Sequence, residues 1–478
     1  MVLDLFFILP EIAVVSVIAV LAFLEMVGPE FSRRFSIPLN LTGVIVVGGA
    51  LVGLSPYSGT TFNGMFAADT FALFFKFLFL VSAVCVLVMK QESPSLDHGA
   101  EFYLILWSVL LGMFCLVSSR DFLLFFISLE LMTLSLYVLC AYSRVDLRSI
   151  EAGLKYLVLG SLASAFLLYG ISLIYAATGT LSFERLAEFL GREGGVRVSV
   201  PLSFLAGVLL VLSALGFKVA SVPFQIWVPD VYQGAPTPVV ALLSVASKSA
   251  GFAALFRIFP ETLGPLEGER RILFSLLAAL TLLYGNLGAL VQKDVKRLLG
   301  YSSIGHAGFL LIALSAIKDW GGPSLLYYLI AYAVSNLTAF LVVTLVEQRE
   351  NSNDLDVYRG LSRKSPLLAA GMFVALLSLA GVPPLAGFFA KFFILLAAAQ
   401  SHLFGLIFLG AVNVVISLYY YLNVIRIVYF EKATHETSYP LSLPATLLLY
   451  GLMAAVVTVG IWQAPFFQAA HTAANSLL

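Results

Sequence analysis

About fourteen stretches of roughly twenty mostly apolar residues follow one another along this 478-residue chain. A helix of about that length crosses a bilayer core about 30 Å thick. The stretches lie near residues 5–27, 38–54, 67–89, 101–118, 122–141, 150–176, 202–228, 237–258, 272–291, 297–316, 323–346, 366–400, 404–427 and 443–464. In hydrocarbon each backbone N–H and C=O must be satisfied internally, so runs of this length read as helices. The chain is 60% hydrophobic and 11% charged, against about half and about a quarter in soluble domains. An all-α polytopic membrane protein is expected.

Composition excludes several functions. Basic and acidic residues balance at 27 each, so no basic excess exists to neutralise nucleic-acid phosphates. Cys85, Cys115 and Cys140 stand far apart in apolar runs, with no zinc, disulfide or iron–sulfur spacing. No glycine fingerprint follows a strand, so no dinucleotide site is expected. The N-terminus has no basic region and no cleavage site, and reads as the first span. Of the 27 lysines and arginines, fourteen fall in one set of loops, eight in the alternate set and five inside spans. The positive-inside rule places the first set, including loop 351–365, in the cytoplasm. Both termini and the 178–200 loop are then expected outside.

Two segment pairs echo each other five spans apart. "LKYLVLGSLASAFLL" in the sixth resembles "LYYLIAYAVSNLTAFLV" in the eleventh, and "LGFKVASVPFQIW" in the seventh parallels "LAGVPPLAGFFAKFF" in the twelfth. An odd offset implies inverted five-helix repeats, and proline in the long seventh and twelfth spans implies one broken helix in each. The expected divisions are an N-terminal segment of residues 1–100, repeats over 101–258 and 272–427, and a C-terminal segment of residues 443–478.

The five lysines inside spans are Lys76, Lys155, Lys218, Lys248 and Lys391. A lysine at the bilayer centre costs about 2.5–3.5 kcal/mol. Lys218, Lys248, Glu130 and His306 fall near their span centres, Lys155 about 10 Å toward the cytoplasm and Lys391 about 12 Å toward the outside. That is the layout of a transmembrane ion path. Lysine shifts its pKa readily on desolvation whereas arginine keeps its proton, so the path suits protons rather than Na⁺. Glu130 paired with a lysine would hold it charged, and separation would release a proton. Pro223, Pro229, Pro383 and Pro384 free backbone carbonyls beside these lysines, where trapped water or protein must satisfy them. The blander expectations are that Lys76 snorkels to the interface, that Glu11 and Glu25 are structural, and that Trp227 and Tyr232 are interface anchors or packing. His98, His402, His435 and His471 fall in or near loops and carry little signal.

"FFISLELMTLSLYVL", "EAGLKYLVLGSLASAFLLYG", "KVASVPFQIWVPDVYQGAPTPVVALLSVASK", "VQKDVKRLLGYSSIGHAGF" and "LAGVPPLAGFFAKFFIL" occur in order between residues 120 and 400. Together they resemble the antiporter-like membrane subunits of respiratory complex I, the proton-pumping NADH–quinone oxidoreductase. "PDVYQGAPTPV" favours the N type, and no long amphipathic helix after the fourteenth span speaks for the L type. The resemblance implies Glu130 and Lys218 as the ion pair, Lys248 as central relay, Lys391 as the broken-helix lysine on the exit side, Lys155 as an accessory lysine and His306 as the link between halves. The family often has histidine where this chain has Gln225, which cannot titrate; Lys76 matches no family role. It further implies a bacterial inner-membrane location among other membrane subunits, with no cofactor in this chain. NADH, FMN, iron–sulfur clusters and the quinone site would belong to partner subunits. Rival readings are a subunit of a multi-chain cation/proton antiporter or membrane-bound hydrogenase, a stand-alone solute transporter, and a structural scaffold.

Overall fold

A computed structural model of the chain describes residues 2–96, 99–191, 201–262, 267–432 and 439–477. His98, His435 and residues 192–200 of the loop expected outside lie beyond the described residues. Among those described, thirteen helices are long and apolar enough to span a membrane. Two shorter apolar helices, Pro366–Ala380 and Ala386–Gln400, supply the remaining twelfth span. Among the described residues the fold is all-α apart from one small hairpin, in which Gly59–Thr61 pairs antiparallel with Phe66–Ala68.

Helix starts are written locally. Asp69, Asp121, Asp146 and Asp294 each accept a hydrogen bond from a first-turn amide, at 2.7, 2.7, 3.0 and 2.8 Å. Each satisfies one of the donors that a helix start leaves without a partner. These caps open the third (Thr70–Gln91), fifth (Phe122–Cys140), sixth (Leu147–Thr178) and tenth (Val295–Ser315) spans.

The loops separate onto two faces as the charge count predicts. One face gathers Ser93, Asp146, Asp294, Asn351 and Asp354 around an open cleft of about 870 Å³; it is the basic face. On the opposite face the Arg120 N–H donates to the Met65 carbonyl at 2.8 Å, and the Phe183 N–H to the Arg120 carbonyl at 3.0 Å. The N-terminal helix Val2–Phe7 packs on the hairpin of that face, and Ser476 and Leu477 border it too.

The seventh span, expected over 202–228 as a broken helix, is broken and reaches further. It runs Leu202–Val219, breaks, and resumes as Trp227–Gly234. Pro223 lies in the break, whereas Pro229 sits in the first turn of the second half, where its missing N–H removes no helical bond. Both breaks close the same way. Ala220 and Gly381 take the left-handed conformation, and the next residues, Ser221 and Val382, donate back to Gly216 and Leu377 at 2.9 and 3.0 Å. These are Schellman closures. The fourteenth span, Leu443–Ile461, is followed by a separate helix, Gln463–Asn475, which packs against the third and eleventh spans.

Burial is graded by position. The eighth span (Thr237–Phe259) is wholly buried, and the tenth and eleventh (Gly322–Glu350) nearly so. The first (Leu9–Val27), sixth and thirteenth (Phe404–Phe430) leave most of their apolar surface free. Lipid is as apolar as leucine, so exposure costs little there and contact depends on close packing. Gly285 of the ninth span (Glu267–Ala289) meets the Gly305 backbone of the tenth with no room for a side chain.

Candidate functional site

Lys218 lies in the last turn before the first break and is buried. Its ammonium has no hydrogen-bond partner among the described residues. It faces the rings of Tyr156, Phe217 and Tyr137 at 5.5, 5.9 and 6.0 Å. Such contacts are worth about 2 kcal/mol when desolvated, which does not cover the cost of an unpaired buried charge. Glu130 is half-buried on the fifth span and accepts a hydrogen bond from the Ser164 hydroxyl at 2.6 Å. The expected pair is therefore open: Glu130 is held by Ser164 and makes no direct ion pair with Lys218.

Lys248 follows a π turn, Leu243–Ser247, in the eighth span; such turns recur at functional sites. Its ammonium donates to the carbonyl of Ser303 at 2.6 Å and also to its hydroxyl. The Tyr332 hydroxyl donates to the same Ser303 hydroxyl at 2.9 Å, and Tyr232 approaches it at 3.3 Å. One turn along the tenth span, His306 holds Tyr328 at 2.6 Å on Nδ1 and Tyr421 at 3.2 Å on Nε2. A neutral imidazole has one donor and one acceptor nitrogen, so it suits a hydroxyl on each side. Tyr421 is hydrogen-bonded in turn to Ser302.

Another turn on, Phe309 lies under the Lys391 ammonium at 5.3 Å. Lys391 belongs to the second half of the twelfth span, and its ammonium donates to Ala380 O at 2.9 Å and to Ser417 Oγ at 3.4 Å. Ala380 ends the first half, so this cation caps a helix C-terminus, where positive charge is favoured. Ser303, His306 and Phe309 thus place Lys248, the histidine and Lys391 in order along one face of the tenth span.

Two lysines differ from expectation. Lys155 is 42% exposed and pairs with Asp230 at 2.8 Å and Glu151 at 2.9 Å, because the sixth span extends past both expected ends and faces outward. Asp230 also pairs with Arg297 at 2.6 Å. Lys76 does not snorkel: it is fully buried and lies 2.7 Å from Glu11. Gln225 is buried in the first break with its side-chain oxygen unpartnered among the described residues. Trp227 and Tyr232 are packing rather than interface anchors: both are buried, and the Trp227 N–H donates to the Phe217 carbonyl at 3.0 Å.

Sequence reasoning missed Ser303, Tyr328, Tyr332 and Tyr421. Tyr328 and Tyr332 carried a signal, being one turn apart in an otherwise apolar run; Ser303 and Tyr421 carried none without the fold. Among the described residues no group of three or more His, Cys, Asp or Glu is placed to hold a metal.

A polytopic helical bundle with two broken spans and a buried lysine–histidine series defines an ion-translocating membrane subunit. The pattern of the NADH:quinone oxidoreductase/Mrp antiporter transmembrane family matches residues 119–417. NADH-quinone oxidoreductase subunit N of Desulforamulus reducens is 37% identical over 95% of each chain. That of Paramagnetospirillum magneticum is 38% identical over 99% of this chain and 98% of its own. A chain of respiratory complex I from Thermus thermophilus with bound aureothin superposes with TM-score 0.81 at 33% identity, covering 96% of this chain and 98% of that one. A chain of the Mrp complex from Dietzia sp. DQ12-45-1b, at 20% identity and TM-score 0.86 over 100% and 98%, shares the fold. The chain belongs to the NADH:quinone oxidoreductase/Mrp antiporter transmembrane family.

Proposed function

We propose that this chain moves protons across a bacterial inner membrane as the N-type subunit of NADH–quinone oxidoreductase. Electron transfer from NADH through FMN and iron–sulfur clusters to quinone takes place in partner subunits. Glu130 and Lys218 form the loading pair, Lys248 the relay, His306 with its tyrosines the link, and Lys391 the exit-side lysine. Lys155, joined through Asp230 to Arg297, tunes the basic side. The division into inverted units 101–258 and 272–427 belongs to this reading; the matching closures of the two breaks support it. The observation that carries the proposal is the buried series along the tenth span, with Lys248 on Ser303, His306 between Tyr328 and Tyr421, and Lys391 over Phe309. Proton uptake by inverted membrane vesicles per NADH oxidised tests it. Lys248→Ala should lower uptake at unchanged subunit content, and unchanged uptake would remove Lys248 from the path.

The basic face lies in the cytoplasm and both termini outside. The location of the N-terminal helix and of Ser476 on the face opposite the cleft supports this orientation. A Ser362→Cys variant should react with an impermeant maleimide in inverted vesicles and not in intact cells; the reverse pattern overturns the orientation.

A further inference from the structure

The eighth and eleventh spans pack antiparallel, and their seam carries polar side chains in matched rungs. Nearest the basic face, Thr237 donates to the Glu347 carboxylate. Deeper, Asn336 donates to Ser244 at 2.7 Å. Deepest, Lys248 and Tyr332 share Ser303. Thr237, Ser244 and Lys248 are seven and four residues apart, and Glu347, Asn336 and Tyr332 eleven and four, spacings that keep each set on one helix face.

The outer rung opens to the cleft. Thr237, Lys296, Thr344 and Glu347 all line the 870 Å³ cleft. Glu347 keeps 31% of its side chain exposed while buried Lys296 approaches it at 3.3 Å. Between Thr344 and Asn336 the seam is apolar and closed: Val240, Ala241, Phe340 and Val343 are fully buried. That stretch is eight residues of the eleventh span, about 12 Å. Midway along it the Phe340 ring packs against Tyr232, 6.4 Å between centroids.

We propose that this seam is the proton entrance to Lys248, with Glu347 as the collecting carboxylate and Phe340 as the barrier. The carboxylate takes a proton from cleft water and becomes the neutral acid. It returns that proton, through water admitted transiently past Phe340, to the neutral Lys248 amine, which becomes ammonium. This rests on Lys248 being the relay, and brings protons to it directly rather than by way of Lys218.

Three variants of the intact complex, assayed in inverted vesicles with subunit content checked by immunoblot, test it. Glu347→Gln should lose proton uptake, and Glu347→Asp, which keeps the carboxylate, should recover some of it. Phe340→Ala should speed the collapse of a pre-formed proton gradient with NADH absent, which loss of a purely structural carboxylate or ring would not do. Lys248→Ala run in parallel separates the two readings. Normal uptake in Lys248→Ala removes the relay itself. Defective Lys248→Ala beside normal Glu347→Gln overturns the entrance. Should Glu347→Gln not assemble, an unchanged gradient collapse in Phe340→Ala overturns it instead.

Discussion

The ammonium of Lys391 closes the break in its own span, donating at 2.9 Å to the carbonyl of Ala380, the last residue of the preceding half-helix. The charge is thereby held by a dipole end rather than by a carboxylate, and can leave as a proton without stranding a partner ion.

This contact sets up a substitution pair. Lys391→Ala is expected to lower proton uptake per NADH while leaving assembly intact, since the half-helix packs through apolar neighbours. Lys391→Arg should be nearly as damaging, because a guanidinium keeps its proton. Near-normal uptake in the arginine variant would show that only the charge matters.

The buried pair of Glu11 and Lys76, 2.7 Å apart, lies outside the lysine series. Removing either partner leaves a buried charge uncompensated, at a cost of about 3–5 kcal/mol. Glu11→Leu and Lys76→Met should each depress the thermal stability of the purified complex, and the double variant should regain most of it. Equal loss in single and double variants would contradict this account.

Gly160 faces the Tyr137 hydroxyl so closely that a Cβ would overlap it. Gly160→Ala should therefore displace Tyr137 from beneath Lys218 and cost about 1–3 kcal/mol through overpacking. Tyr137→Leu should rescue it, because neighbours in contact are non-additive. The readout is thermal stability of the complex together with proton uptake.

Asp294, which caps the tenth span, has its pKa pushed up, chiefly by burial, with the Arg297 amide, Lys296 and Gln233 opposing. A carboxyl raised in the folded state stabilises most when protonated, so its contribution is present below the ordinary carboxylate pKa and is lost as pH rises through the raised value. Asp294→Asn keeps the cap but cannot titrate. Hydrogen exchange at residues 295–298 should speed up with pH across that window more than intrinsic chemistry requires in the native chain, and should lose that excess in the variant. The same excess in both would point to another group.

Hydropathy alone determined where the thirteen long apolar helices and the broken twelfth span lie, and counting within a span set the expected depth of Lys218, Lys248, His306 and Lys391. Those properties are local: length follows from rise per residue, and depth from counting within a span. The broken spans were legible for the same reason, since Pro223 and Pro383 act on their own helices. What touches each lysine was decided by tertiary structure. Lys76 and Lys155 carry the same charge inside similar apolar runs, yet one is sealed against Glu11, far back in the first span, and the other stands exposed beside Asp230. Which flank of a span meets lipid and which meets protein is set by neighbours distant in the chain, and in an apolar solvent both flanks read alike. Ser303 and Tyr421 were hidden likewise: each is an ordinary residue until separate helices bring it against Lys248 or His306.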